Sequence, residues 1–171
     1  VARENANRLR GMMKKGYPTR DFYLESELPQ GMKDKILEKG FKRLKISPFG
    51  NTGAAYYLVR PRYNESKEHA FFCYLIDSEL KKRGKKADLY VNDGPDIVFV
   101  HKKRQYCIDV ETGSNLARDK EKVARKFQRY ANEYYCSYIF VTDKKLKYKY
   151  KRYGVVVTRA SLLKALSHML I

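Results

Sequence analysis

Three acidic residues within the stretch 95–111 are the side chains best placed to do chemistry. Asp96 opens one apolar segment, and Asp109 and Glu111 lie two residues apart near the end of the next one. In a hairpin centred between residues 103 and 104, Asp96 would lie opposite Glu111, and Asp109 would share the face of Glu111. Carboxylates in an apolar sheet repel one another unless a cation lies between them. Oxygen-only ligands suit Mg²⁺ or Mn²⁺, which can activate water for phosphate-ester hydrolysis.

An alternative interpretation of the same acids stays open, in which they point to solvent and pair with the surrounding lysines. The Gly-Ser-Asn turn at 113–115 also has two interpretations. It caps the following helix, or it holds a phosphate at that helix N-terminus beside the carboxylates. The spacing therefore predicts an acidic site and leaves its ligand open.

Residues 144–154 alternate basic and aromatic side chains, in the order KKLKYKYKRYG. At strand periodicity the tyrosines fall on one face or edge, and the lysines fall on the other. This pattern suits a strip that follows a phosphate backbone and stacks bases on aromatic rings. An edge strand protected by lysines would show the same pattern, so both interpretations remain.

The segment 63–171 contains the elements that must position these residues. Apolar spacing predicts helices over 66–83 and 115–134, followed from residue 155 by a last strand and helix. Between them it predicts strands over 87–91, 95–101, 105–111 and 137–143. This α-β-β-β-α-β order predicts an α/β sandwich with a mixed sheet. Tyr130 and Tyr134 are predicted to face its core.

The segment 1–62 has a different plan. It predicts a basic amphipathic helix over 3–16, a second helix that ends at Gly40, and a hairpin over 41–59. Helices followed by a basic two-stranded hairpin resemble a winged helix-turn-helix, which implies a DNA-binding module over 1–62. A small helical cap packed on the second domain is the alternative. The PRYNE stretch at 61–65 is the predicted hinge.

The charge of the chain indicates the class of its partner. Its 171 residues include 37 Lys and Arg against 19 Asp and Glu, a formal net charge of +18. Cut after Arg62, the two parts carry +8 (14 basic, 6 acidic) and +10 (23 basic, 13 acidic). Such an excess destabilises the compact state by self-repulsion and favours a polyanionic partner. We predict a nucleic acid, with an anionic membrane or an acidic protein as alternatives.

Composition excludes other classes of protein. With 43% apolar residues the chain is expected to be globular, and no apolar run reaches the roughly 18–20 residues of a membrane span. Three widely spaced cysteines predict free thiols in a reducing compartment, so we expect a cytoplasmic protein. The start at Val1 rather than Met predicts a fragment of a larger chain or a trimmed terminus.

The segment PDIVFVHKKRQYCIDVETG (95–113) resembles the motif core of the PD-(D/E)xK, or restriction-endonuclease-like, superfamily. More narrowly, it looks like the branch with an EVETG-type signature, found in proteins of plasmids and conjugative elements. The helix opening ESKEHAFFCYLIDSELKKRG (65–84) is similar to the first helix of that branch. A winged helix ahead of such a core is also similar to the replication-relaxation proteins. The resemblance implies a nuclease-like domain over 63–171, with Mg²⁺ or Mn²⁺ as its cofactor and DNA as its partner.

Carried over residue by residue, the resemblance assigns roles at the acidic site. Asp96 takes the place of the metal-binding aspartate, Asp109 takes the (D/E) position, and Glu68, beside His69, is the acid of the first helix. Glu111 stands where the family usually has a lysine, and this is a departure from the pattern. The usual lysine stabilises charge in the transition state.

A lysine from the following helix is predicted to supply that charge instead, and Lys122 and Lys126 are the two candidates. The implied metal ligands are Asp96, Asp109 and Glu111. The predicted catalytic residues are Glu68, Asp96, Asp109, Glu111, Lys122 and Lys126. Relatives with an acid at the lysine position include nucleases and proteins that only bind, so the resemblance implies both outcomes.

Three hypotheses for function follow. The first is a metal-dependent DNA endonuclease with a winged-helix module, from a plasmid or mobile element; the second is the same fold binding DNA without cleavage, in replication or conjugation. The third is the DNA-binding tail of a larger ATPase, and a homodimer is left open.

The predicted DNA-binding residues are basic side chains of the first hairpin and its helix, of the tip near residue 103, and of the 144–154 run: Lys33, Lys35, Lys42, Arg43, Lys45, Lys102, Lys103, Arg104, Lys147, Lys149, Lys151 and Arg152.

Overall fold

The structure is a computed structural model that describes residues 11–14, 16–90 and 93–171, and these residues form ten strands and six α-helices. The strands are β1 (Met13–Lys14), β2 (Tyr17–Pro18), β3 (Phe22–Leu24), β4 (Lys42–Ile46), β5 (Ala55–Val59), β6 (Ala87–Leu89), β7 (Ile97–His101), β8 (Arg104–Glu111), β9 (Cys136–Val141) and β10 (Val155–Thr158). The helices are α1 (Met32–Glu38), α2 (Lys67–Lys82), α3 (Ser114–Arg118), α4 (Lys120–Glu133), α5 (Lys147–Tyr150) and α6 (Leu162–Met169). The predicted α/β class is confirmed.

The chain divides into two compact units, and the division falls inside α2. One unit comprises residues 1–47 and 52–74, and the other comprises 48–51 and 75–171. The assignment of a winged helix-turn-helix to 1–62 and of a nuclease-like domain to 63–171 stays a prediction.

The first unit contains a three-stranded antiparallel sheet in the order β3-β5-β4. The predicted hairpin is confirmed as β4 and β5, and α1 precedes it, with Gly40 at a φ of +85° just after the helix. The short strand β3 was not predicted. A separate apolar cluster lies beneath these elements, formed by Met12, Tyr23, Met32, Ile36, Phe41 and Leu58.

The predicted helix over 3–16 lies largely outside the described residues. In its described part, Met13–Lys14 pairs with Tyr17–Pro18 as a two-residue antiparallel ladder, so the helix prediction is wrong at these two positions. Gly16, at a φ of +78°, lies in the tight turn between the two strands. Glycine adopts this conformation without steric cost, which allows so short a connection.

The second unit is built on a five-stranded mixed sheet in the order β10-β9-β8-β7-β6. Strands β6, β7 and β8 are antiparallel neighbours, whereas β8, β9 and β10 run parallel. Parallel neighbours need crossover connections, which here contain α3 and α4 between β8 and β9, and α5 between β9 and β10. The predicted mixed sheet is confirmed, and β8 is its central strand.

Helix α4 packs on this sheet through residues spaced by four and three positions. Val123, Phe127 and Tyr130 are buried and belong to one apolar cluster with Cys107 and Ile139 of the neighbouring strands. Tyr134 packs against the same cluster, so the predicted core positions of Tyr130 and Tyr134 are confirmed. Burial of a large apolar side chain contributes roughly 1.5–3 kcal/mol, so this face anchors α4 on the sheet.

Two predicted elements of the second unit are wrong. The single helix over 115–134 is divided at Asp119, which has an extended backbone (φ −152°) and caps α4 by accepting a 2.8 Å hydrogen bond from the Lys122 backbone N–H. The run 144–154 is not a strand but a series of helical turns that includes α5. Its apolar residues Leu146, Tyr150 and Tyr153 recur at helical spacing and pack on the core, which favours the helical conformation.

No helix among the described residues combines the length and the apolar character needed to cross a membrane. All three cysteines are free thiols, as predicted: Cys73 and Cys107 are buried, and Cys136 is half-buried.

Candidate active site

The turn of the β7–β8 hairpin determines which predicted acids face one another. Lys102 and Lys103 form this turn, both with positive φ (47° and 64°), and His101 pairs with Arg104 across it. Two central residues with positive φ are the signature of a type I′ turn, whose twist matches that of the flanking strands. The hairpin is therefore centred between residues 102 and 103, one residue earlier than predicted.

This register moves Asp96 away from its predicted position opposite Glu111. Asp96 immediately precedes β7, whose first residue pairs with the residue before Asp109. Asp96 therefore lies level with Asp109, and its Oδ2 accepts a 2.8 Å hydrogen bond from the Val110 backbone N–H. The predicted pairing of Asp96 with Glu111 is therefore wrong. Asp96 nevertheless lies beside β8, the strand that contains the other two acids.

Asp109 and Glu111 point to the same face of β8 and are joined by one lysine. Both side chains are buried, with residue exposures of 4% and 1%. Lys126 of α4 places its Nζ 2.6 Å from Asp109 Oδ2 and 2.5 Å from Glu111 Oε1. Of the two lysines predicted to reach the acids, Lys126 makes these contacts.

Tyr150 is part of this cluster and was missed from the sequence. It is fully buried on α5, and its hydroxyl donates a 2.7 Å hydrogen bond to Glu111 Oε2. The sequence was interpreted at strand spacing, which placed this tyrosine on an exposed aromatic face. The helical recurrence of Leu146, Tyr150 and Tyr153 was the signal that could have identified it as a core residue.

Burial and neighbouring charge change the proton affinities of the cluster. Burial, with the nearby Asp96 carboxylate, raises the pKa of Asp109 to about 8, although Lys126 acts in the opposite direction. Burial lowers the pKa of Lys126, but the charges of Asp109 and Glu111 outweigh it and raise that pKa above its ordinary value. Lys126 therefore stays charged at neutral pH, while Asp109 tends to hold a proton.

A small hollow lies beside Lys126. Its volume is about 150 Å³. Lys122 is exposed on this rim, while 24% of the Lys126 side chain remains exposed beneath it. The hollow is lined by Asn115, Arg118, Asp119, Lys122, Val123 and Lys126. The two predicted lysines thus line the same hollow, and Lys126 also contacts the acids.

The donors present fit the divalent cation that the resemblance implies. Asp96 and Asp109 offer the hard oxygen atoms that Mg²⁺ and Mn²⁺ prefer. Glu111 engages one oxygen with Lys126 and the other with Tyr150, so its carboxylate is held by protein donors. Lys126 contacts two of the three acids, so the cluster contains more carboxylates than ammonium groups. Asp96 and Asp109 are thus the residues that would hold the ion.

Glu68, the acid predicted on the first helix, lies in the first turn of α2, in the first unit. Its assistance at the acidic site stays a prediction. The adjacent His69 places its Nδ1 2.6 Å from Glu65 Oε1 and 3.8 Å from Cys73 Sγ. This group mixes nitrogen, sulfur and oxygen, so it does not match the all-oxygen ligands that Mg²⁺ prefers.

The predicted DNA-binding residues lie on three surfaces. In the first unit, Arg43 and Lys33 pair with Glu25 at 2.6 and 3.1 Å, while Lys42 and Lys45 are exposed on β4 and Lys35 is exposed on α1. Two more surfaces belong to the second unit. The tip of the β7–β8 hairpin presents Lys102, Lys103 and Arg104, and the helical turns after β9 expose Lys147, Lys149, Lys151 and Arg152.

No family model and no curated protein matches this chain.

Proposed function

We propose that this protein binds DNA and hydrolyses its phosphodiester bonds as a metal-dependent endonuclease, acting in the cytoplasm for a plasmid or other mobile element. One observation carries the proposal: Asp109 and Glu111 are buried side by side and share the ammonium of Lys126. Buried acids with a strongly raised pKa are more frequent at functional sites than elsewhere. The +18 charge of the chain supplies the attraction for a polyanion around that site.

The residues of the cluster have separate roles in this proposal. Lys126, held by two carboxylates, keeps a positive charge beside the reacting phosphate as charge develops in the transition state. Tyr150 and Lys126 together fix the orientation of Glu111. Asp96 and Asp109 are the residues that would hold the ion. When bound, Mg²⁺ or Mn²⁺ supplies Lewis-acid stabilisation of the phosphate and a more acidic water.

A DNA-binding module in the first unit is part of the proposal. Its support is the antiparallel sheet β3-β5-β4, in which helix α1 comes directly before β4 on the chain. Strand β4 also exposes two lysines, Lys42 and Lys45. A helix followed by a basic hairpin can bind the phosphate backbone on both sides of a groove.

A second candidate function is DNA binding without cleavage. The observation that favours it is the state of Glu111, which stands where the family usually has a lysine and has both oxygens engaged by protein donors. In this alternative the Asp109–Glu111–Lys126 cluster stabilises the sheet, and the basic surfaces alone bind DNA.

The test is a cleavage assay on supercoiled, linear, single-stranded and branched DNA with Mg²⁺ or Mn²⁺. We expect nicking by the wild type and a loss of about 100-fold or more in Asp96→Ala and Asp109→Asn. The matched control is Asp88→Ala, which removes an exposed carboxylate from β6 of the same unit.

The outcomes separate the two candidates. Metal-dependent nicking that Asp88→Ala keeps and both test variants lose supports the endonuclease. Binding of DNA with no cleavage of any of the four substrates contradicts it and favours the second candidate. If the test variants nick as well as the wild type, the activity does not come from this acidic site, and the proposal is contradicted.

A further inference from the structure

A cleft lies beside the acidic cluster in the second unit, between α3 and the helical turns that follow β9. Its volume is about 360 Å³, which is within the range of sites for small organic molecules. It is lined by Gly113, Leu116, Ala117, Lys120, Leu146, Tyr148, Lys149, Arg152 and Tyr153. Every one of these residues belongs to the second unit, so the cleft is formed within it.

The charges around the cleft all have the same sign. Lys120, Lys149 and Arg152 are exposed at its edge, and the described residues that line it include no acid. Three cations around one opening repel one another in the free protein, and an anionic ligand removes that repulsion. The cleft is therefore complementary to a phosphate group.

The interior and rim of the cleft favour a planar apolar group. Leu116, Ala117 and Leu146 form an apolar part of the lining. Tyr148 stands on the rim with 82% of its surface exposed. Exposed aromatic rings beside cations form the stacking platforms on which single-stranded nucleic acids bind, because every base has a flat face.

The cleft is close to the acids along the chain. Gly113 follows Glu111 by two residues and turns the chain into α3 with a φ of +92°. A Cβ at this position would approach Leu146 Cδ2 to 2.9 Å, so glycine brings this turn directly against the wall of the cleft. Tyr150, which hydrogen-bonds to Glu111, belongs to the same short helical segment as Tyr148 and Lys149.

We propose that this cleft binds one unpaired nucleotide, with its base stacked on Tyr148 and its phosphate held by Lys149 and Arg152. The inference rests on the proposed function and narrows its substrate to DNA that is single-stranded at or near the site of cleavage. A paired base cannot enter a cleft of this size without leaving its helix. Intact duplex DNA therefore gains only the contacts of the basic surfaces, which any phosphate backbone can make.

The test measures binding by fluorescence anisotropy in EDTA, so that no DNA is cleaved. The probes are a 15-nucleotide oligo-dT, the matching oligo-U RNA, a blunt duplex, and the same duplex with an unpaired flap. The variant Tyr148→Ala removes the stacking platform, and Tyr63→Ala is the matched control, because Tyr63 is 95% exposed in the first unit. Lys149→Ala with Arg152→Ala removes the phosphate contacts.

We expect Tyr148→Ala to weaken binding of oligo-dT and of the flap by about five- to tenfold, and to leave blunt duplex within twofold. Tyr63→Ala should leave all four probes within twofold. The double variant should weaken single-strand binding and lower its salt dependence, whereas Tyr148→Ala should leave the salt dependence unchanged because no charge is lost.

Several results overturn the inference. Equal effects of Tyr148→Ala and Tyr63→Ala on oligo-dT would exclude the stacking role, and equal losses on duplex and single strand would exclude the preference for unpaired nucleotides. Tighter binding of oligo-U than of oligo-dT would overturn the assignment to DNA. The proposed function fails in a different way. It is contradicted if the protein binds none of the probes, or if it binds DNA and never cleaves it.

Discussion

Lys126 is a single side chain that compensates two buried carboxylates. Its ammonium contacts Asp109 and Glu111 at 2.6 and 2.5 Å, and only 24% of its side chain is exposed. Removing one member of a buried ion pair leaves an uncompensated charge, which costs more than the pair itself contributes. At this site the removal would leave Glu111 uncompensated, and above about pH 8 it would leave Asp109 uncompensated as well.

The substitution Lys126→Met should therefore lower the free energy of unfolding by about 2–4 kcal/mol. The loss should be larger at pH 9 than at pH 6, because Asp109 can hold a proton at the lower pH. Urea denaturation at both pH values measures it. The matched control is Lys122→Met, which removes an exposed lysine one turn away on the same helix and should cost less than about 0.5 kcal/mol. Equal effects of the two variants would contradict the role of Lys126.

The raised pKa of Asp109 makes the stability of the wild type depend on pH. Burial and Asp96 raise this pKa to about 8, so between about pH 4 and pH 8 the folded protein holds a proton that the unfolded chain releases. Stability contributed by this group therefore falls as the pH rises and levels off above about pH 8. Between pH 6 and 9 the wild type should lose about 1–3 kcal/mol through this group.

Asp109→Asn removes that titration while keeping the shape of the side chain. Its free energy of unfolding should depend less on pH over the same interval, and at pH 9 it should equal or exceed that of the wild type. Chemical denaturation at four pH values between 6 and 9 gives the comparison. Parallel pH profiles for the two proteins would show that Asp109 is ionised throughout this range.

At the scale of elements, the break between α3 and α4 directs Lys126 towards the acids. Asp119 begins α4 by accepting a hydrogen bond from the Lys122 backbone N–H at 2.8 Å. Asp119→Ala should lower the free energy of unfolding by about 1 kcal/mol, because an N-cap is lost. Glu121→Ala is the control, since Glu121 lies in the same helical turn and its side chain is 88% exposed. A cost no greater than that of the control would show that the cap does not stabilise α4.

The elements predicted from the sequence were those whose apolar spacing and turn residues agree. The hairpin of β4 and β5 and the central strands of the second unit are confirmed for this reason. The strand predicted over 144–154 is wrong because the alternation of Lys and Tyr masked the helical spacing of Leu146, Tyr150 and Tyr153. Strand β3 has only three residues, too few to show the alternation of apolar and polar side chains that predicts a strand. It is stabilised by its pairing with β5, which its own sequence does not indicate.

The sequence predicted which residues form the candidate site, but it did not predict how all of them are arranged. The acids of β8 share a face because strand periodicity requires it, and this needed no knowledge of the fold. The residue opposite Asp96 depends on the register of the β7–β8 hairpin. A two-residue turn, Lys102 and Lys103, determines this register, and both residues have positive φ. Glycine and asparagine are typical of such a turn, and neither is present to indicate it in the sequence. The choice of Lys126 over Lys122 depended on where α4 begins, and the cap at Asp119 was not recognised.

At the scale of the whole molecule, the net charge of +18 predicts a strong dependence of DNA binding on salt. If six or more phosphates are neutralised, affinity for duplex DNA should fall by about 10³-fold or more between 50 and 200 mM salt. Anisotropy titrations at four salt concentrations measure the slope. The Lys149→Ala, Arg152→Ala double variant should reduce the slope for single strands by about 1.4, because each lost cation accounts for about 0.7. A slope near zero for the wild type would contradict a nucleic-acid partner.

The place of β8 in the sheet has a consequence for motion. Strand β8 is the central one of five, with β7 and β6 on one side and β9 and β10 on the other. Its amide hydrogens should exchange with solvent only when the entire second unit opens, and so exchange more slowly than those of the outer strands. Asp109 and Glu111 therefore belong to the least mobile backbone of their unit, and any adjustment to a bound ligand must come from Lys126 and the helical turns around it.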